Sequence, residues 1–85
     1  MKIIYSGKFA REYKRLSVKI KTKAEAKELV FRKNPFDARL KTHKLTGKLQ
    51  KYWSFSIDHK HRIVFQLKDE KTIWFHSVGS HQIYR

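Results

Sequence analysis

The sequence predicts an α+β fold in which two N-terminal helices pack on one face of a twisted, mainly antiparallel sheet, in the order β-α-α-β-β-β. Three observations carry that expectation. Apolar residues recur at helical spacing between residues 8 and 33, they alternate with period two from Trp53 to Phe75, and Asn34-Pro35 stands between the two regimes. At 85 residues the chain should form a single domain, 1–85, around one core.

Lys2 to Tyr5 reads as a short first strand, because Ile3, Ile4 and Tyr5 favour extended backbone and Ser6-Gly7 ends the run. A helix follows from Lys8, with Phe9, Tyr13 and Leu16 at i, i+4, i+7 on one face among Lys8, Arg11, Lys14 and Arg15. Ser17 and Val18 interrupt it. The second helix spans about Ile20 to Lys33, offering Ala24, Ala26, Leu29, Val30 and Phe31 to the core. Asn34-Pro35 stops it, since the residue before proline is driven out of the helical region. Phe36 to Thr42 shows no period and reads as a loop. Three alternating segments complete the chain, with Trp53, Phe55 and Ile57, then Ile63, Phe65 and Leu67, then Ile73 and Phe75 on the apolar side. Asp58-His59-Lys60-His61 and Lys68-Asp69-Glu70-Lys71 are the turns between them. In that phase Arg62 points away from the helices.

Charge narrows the partners. Lys and Arg number 21 against 7 Asp and Glu, a formal net charge of +14. Solubility needs far less, so a polyanionic or strongly acidic partner is implied. The charge runs from Lys2 to Arg85, and 14% aromatic content is too high for a disordered basic arm, so the basic surface belongs to a folded body. The chain has no cysteine and therefore no disulfide and no Cys-based zinc site, in keeping with a reducing compartment. The opening apolar run is too short for a signal peptide and no stretch is long enough to span a membrane, so the expected location is cytoplasmic.

The last third concentrates chemistry: His43, Arg62, His81 and Tyr84 should lie on one sheet, and these are the groups that cut RNA without a metal. Attack by a ribose 2′-hydroxyl needs a base near that hydroxyl, an acid near the leaving 5′-oxygen and positive charge on the phosphorane. Histidine serves either proton role near neutral pH. His81, seated by Gly79-Ser80 at a strand end, is the first candidate for acid or base. His43 is the second, with a purely turn-fixing role as its alternative. Arg62 is the candidate phosphate clamp, because a guanidinium holds two oxygens at once; its alternative is a solvated arginine paired with Asp58 or Glu70. Tyr84 could stack on a base, sit beside the scissile phosphate or pack on the sheet edge. Lys48, Lys51 and Lys60 read as RNA-backbone contacts, and Trp74 as an exposed stacking platform. His59, His61 and His76 invite a metal reading, but no Cys and few carboxylates stand near them, so neither a metal nor any other cofactor is expected.

In these pieces, taken in order, the chain resembles the RelE/ParE superfamily of toxins of bacterial toxin–antitoxin pairs, and within it the RelE-like ribonucleases related to YafQ and YoeB. The matching pieces are the lysine-rich helices, Asn34-Pro35, His43-Lys44-Leu45-Thr46-Gly47, His61-Arg62-Ile63-Val64-Phe65 and Val78-Gly79-Ser80-His81-Gln82-Ile83-Tyr84. The resemblance implies a toxin that cleaves messenger RNA in the ribosomal A site by metal-free acid–base chemistry and is neutralised by a cognate acidic antitoxin. It carries His43 onto the histidine of the family's H-x-L-x-G segment, His81 onto the histidine after the last strand, and Arg62 onto an arginine of the third strand. The chain departs from the pattern at Arg39, where YoeB relatives have a catalytic glutamate, and at Ser56 and Lys60, where YafQ relatives have histidine and aspartate.

Two other readings remain open at this level. A ParE-type relative of the same fold would block DNA gyrase by docking, and a non-catalytic RNA- or ribosome-binding domain would use the charge alone. The histidines and Arg62 favour the nuclease, since a docking inhibitor has no need of an acid–base set.

Overall fold

The computed structural model describes residues 1–80. Five strands and two helices follow the chain as β1 (Lys2–Tyr5), α1 (Gly7–Lys14), α2 (Val18–Lys33), β2 (His43–Lys44), β3 (Trp53–Ser56), β4 (His61–Leu67) and β5 (Thr72–Ser80). The strands form one sheet in the order β1-β5-β4-β3-β2. All neighbours are antiparallel except β1 and β5, which run parallel with Lys2 opposite Thr72 and Tyr5 opposite Phe75. The fold is thus α+β, with two helices against a mixed, mostly antiparallel open sheet.

Both helices begin on a serine whose hydroxyl accepts an orphan N–H of the first turn: Ser6 from Phe9 at 2.9 Å and Ser17 from Ile20 at 3.2 Å. Ser17 and Val18 therefore start α2 rather than merely end α1, and α2 is longer than its apolar pattern predicts. Its buried residues are Ala24 and Phe31 alone; Leu29, expected in the core, is 65% exposed and Ala26 is exposed as well. Ala26 and Leu29 stand two residues from Ala24 and Phe31 respectively, nearly the opposite side of a turn of about 3.6 residues, and so stay in water.

That seam is aromatic. The Phe31 ring lies 4.7 Å from Phe55, 5.0 Å from Phe65 and 5.4 Å from Phe75, joining β3, β4 and β5 to α2. Phe9 brings α1 in at 5.5 Å from Phe75. Leu67, expected on the helix-facing side, is the last residue of β4 and is 41% exposed. In the loop between α2 and the sheet, Ala38–Leu40 forms a 3-10 turn that buries Leu40, and His43-Lys44 adds the short edge strand β2 that the alternation did not reveal. Strand β5 also runs further than its alternation, through Val78 to Ser80. Where β1 ends, α1 covers the edge of β5: Ser6 Oγ donates to the His76 carbonyl at 2.7 Å and Glu12 Oε1 accepts from Val78 N–H at 3.1 Å. No helix among the described residues is long and apolar enough to cross a membrane.

Candidate functional site

The helices occupy one face of the sheet, and the register decides what the other displays. His43 is opposite Ser54, Ser54 opposite Val64, and Val64 opposite Ser77, so these four share the face turned from the helices, where His43 is exposed and the other three are buried. One row along, Ser56, Arg62 and Gly79 share it too. His43 and Arg62 thus rise from the same surface on strands separated only by β3. Strand spacing places their Cα atoms roughly 12 Å apart. His81 and Tyr84 lie outside the described residues.

His43 is held by local geometry. It follows Lys41, a non-glycine residue in the left-handed region at φ 51°, and precedes Gly47, whose φ of 67° only glycine adopts freely. Its Nδ1 lies 3.1 Å from the Lys41 carbonyl. A carbonyl can only accept, so this contact puts a proton on Nδ1, and Nε2 is the nitrogen left to exchange a proton with a substrate.

Arg62 is anchored without being neutralised. Its guanidinium donates to Ser56 Oγ at 3.0 Å and to the Asp58 carbonyl at 3.3 Å, and it makes no ion pair among the described residues. The alternative pairing with Asp58 or Glu70 does not occur. The Asp58 carboxylate is committed elsewhere: Oδ1 accepts from Lys60 N–H and His61 N–H at 2.8 Å each, His61 Nδ1 lies at 3.0 Å, and Lys23 reaches Oδ2 at 3.8 Å. Burial alone would raise its pKa, but these donors outweigh burial and hold the carboxyl well below the usual range.

A depressed folded-state pKa stabilises the protein above the unfolded value and is lost as pH falls toward the folded one. Asp58→Asn should therefore cost about 1–3 kcal/mol at pH 7 in urea unfolding, the usual scale for hydrogen bonds to a charged group. The gap from the parent should narrow as pH drops below about 4, where the unfolded carboxylate protonates. A gap independent of pH would mean that the carboxylate charge contributes nothing.

Lys48, Lys51 and Lys60 are exposed, the first two between β2 and β3 and the third in the β3–β4 turn beside Arg62. Trp74 is 40% exposed on the open face, with Lys68 Nζ 4.1 Å from its ring centroid. His59 stands in the turn and His61 is turned to Asp58. Among the described residues no three His, Cys, Asp or Glu side chains converge as metal ligands.

Comparison with known proteins decides the family. The family model described as bacterial toxin of type II toxin–antitoxin system, YafQ, matches residues 1–84. The chain belongs to the YafQ toxin family.

Solved structures agree with that placement at the level of fold. YafQ from E. coli strain BL21(DE3) superposes with a TM-score of 0.80 at 22% identity, covering 96% of this chain and 94% of that one. A YoeB/ParE toxin from Agrobacterium tumefaciens gives 0.80 at 21% identity, covering 95% and 99%. The E. coli DinJ–YafQ toxin–antitoxin complex gives 0.69 at 22%, covering 95% and 92%. No curated protein matches the chain by sequence.

Two features of this YafQ-family face escaped the sequence reading. Asp58-x-x-His61 forms a side-chain-capped turn that the spacing of the two residues could have signalled. The other is a pairing of Tyr52 with His76, whose rings stack at 4.7 Å and 29°. No periodic pattern could show it, because it depends on a bulge.

Proposed function

We propose that this toxin is a ribosome-dependent endoribonuclease that cleaves messenger RNA in the A site by metal-free acid–base catalysis. The observation that supports it best is the shared open face of His43 and Arg62, with the guanidinium anchored yet free of any carboxylate among the described residues. In this reading His43 Nε2 takes the proton of the 2′-hydroxyl, whose oxygen attacks the neighbouring phosphorus. Arg62 holds the non-bridging oxygens as charge accumulates, and the bond to the 5′-oxygen breaks as His81 returns a proton to it. Tyr84 lies close in sequence to His81 and is assigned to the base or phosphate beside the cut. Lys48, Lys51, Lys60 and Trp74 bind the flanking RNA.

Translating ribosomes programmed with a defined message give the test. The products should carry a 2′,3′-cyclic phosphate, or its hydrolysed form, and a 5′-hydroxyl, and cleavage should survive EDTA at levels that leave the ribosome intact. Intact message beside inhibited gyrase would hand the case to a docking inhibitor of the ParE type.

Affinity for ribosomes should fall steeply between roughly 50 and 200 mM salt, because each phosphate neutralised releases condensed counterion. Flat binding over that range would refute the basic-surface argument. The working location in this reading is the cytoplasm, and the neutralising partner is an acidic antitoxin; E. coli YafQ likewise forms a toxin–antitoxin complex with DinJ. Co-expression with its acidic antitoxin should restore growth; equal arrest with and without a candidate acidic protein would exclude that candidate as the partner.

A further inference from the structure

Between the phosphate-binding end of the open face and Trp74 lies an ensemble that the acid–base scheme does not use. Val64 pairs with Ser77 and Phe65 with Phe75, so the register shift between them leaves His76 without a partner on β4. Such a bulge re-aims the side chain it carries. Here it turns the imidazole against Tyr52, which precedes β3, so the two rings meet across the intervening β4. Both rings are half-buried, and Val64 on the same face is only 2% exposed. The ring nitrogens of His76 have no hydrogen-bond partner among the described residues. Burial, reinforced by Lys8 and opposed by Glu12, lowers the imidazole pKa from its ordinary value, which favours the neutral ring. Gln66, half-buried beside this pair and opposite Trp74, holds an amide with no side-chain bond among the described residues.

We infer that Tyr52 and His76 form a stacking subsite for one unpaired nucleobase of the RNA, with the Gln66 amide facing the base edge. The rings meet over the Val64–Gln66 stretch of β4, two to four residues from Arg62 and roughly 7–13 Å along the strand, the reach from a clamped phosphate to a neighbouring base. A neutral imidazole on a phenol ring offers an apolar π-face without repelling the stacked base. It also carries one donor and one acceptor, and single-stranded RNA is read by splaying its bases onto such rings. The bulge also serves packing, since it sets Phe75 and Val78, three residues apart, on the same core face; the stacked pair is what it leaves on the other face. The inference rests on the RNA-cleaving reading above.

The test uses short single-stranded RNAs, fully 2′-O-methylated so that the attacking hydroxyl is absent, with 2-aminopurine or an abasic residue placed at successive positions. One position should show quenched fluorescence on binding, and an abasic residue there should weaken affinity about 5- to 150-fold, the span measured for single stacked bases. Tyr52→Ala and His76→Ala should show the same loss with intact RNA and no further loss with the abasic one. His76→Phe, which keeps a ring, should restore binding and quenching. If both alanine variants retain the parent's intact-to-abasic ratio while still binding RNA, the subsite is refuted and the nuclease reading stands. Failure of His76→Phe to restore binding would also refute it, since the imidazole nitrogens rather than the ring would then be what matters. A parent protein that binds no RNA, free or on ribosomes, would remove both.

Discussion

Replacing Arg62 with alanine should slow cleavage of messenger RNA on programmed ribosomes by about 10²–10³, the cost of removing one preorganised donor from a developing oxyanion. The guanidinium is already oriented by Ser56 Oγ and the Asp58 carbonyl, so little reorganisation remains at the moment of reaction. Arg62→Lys should recover only a fraction, because one ammonium cannot span two oxygens. Ribosome binding should weaken far less than the single-turnover rate, since many lysines share the electrostatic attraction. His81→Gln is the companion experiment, with a loss of about 10²–10⁴ in the chemical step if that residue is the proton donor. A single-turnover rate unchanged in the Arg62 variant would take the phosphate clamp out of the mechanism; full activity of the His81 variant would do the same for the acid.

Phe31→Ala should be the most damaging core substitution, at about 3–5 kcal/mol. The ring is fully buried and touches a phenylalanine on each of the three central strands, so its loss opens a cavity at the point where α2 is attached. Marginal stability in a domain of this size is about 5–15 kcal/mol, so the variant should be partly unfolded at 37 °C. Leu29→Ala, on the exposed side of the same helix, should fall within about 0.5 kcal/mol of the parent. Urea midpoints measured at constant slope check both. A Phe31→Ala midpoint close to the parent's would mean that the core collapses around the gap.

The elements legible in the sequence are those whose period is long enough to count. Phe9, Tyr13 and Leu16 announce α1, and the alternations through Trp53–Ile57 and Ile63–Leu67 announce β3 and β4. Strand β2 is two residues long and carries no alternation, and β1's parallel pairing with β5 joins residues that no local pattern relates. The second half of β5 was hidden for a different reason: past the bulge Ser77 and Val78 are both buried in succession, so period two breaks there. At the site, chemistry was legible as residue types and placement was not. His43 and Arg62 were visible as candidates, but their common face follows from two registers. The Asp58 carboxylate, which the alternative reading paired with Arg62, turns to the neighbouring imidazole instead.

The parallel pairing of β1 with β5 ties the molecule's assembly to time. The hydroxyl of Ser6 and the carbonyl of His76 are 70 residues apart in the chain, and β5 is the one strand that β1 pairs with among the described residues. During synthesis the first strand leaves the ribosome with nothing to pair with, and α1 has no β5 edge to cover. Loop closure over so long a separation is slow, and the gain from the contact comes only after that entropy has been lost. A nascent chain that has not reached Thr72 lacks Phe75, so Phe9 and one side of Phe31 have no strand to cover them, and such a species is prone to capture or aggregation. The native fold, and with it any activity, arrives only once the last strand has been made.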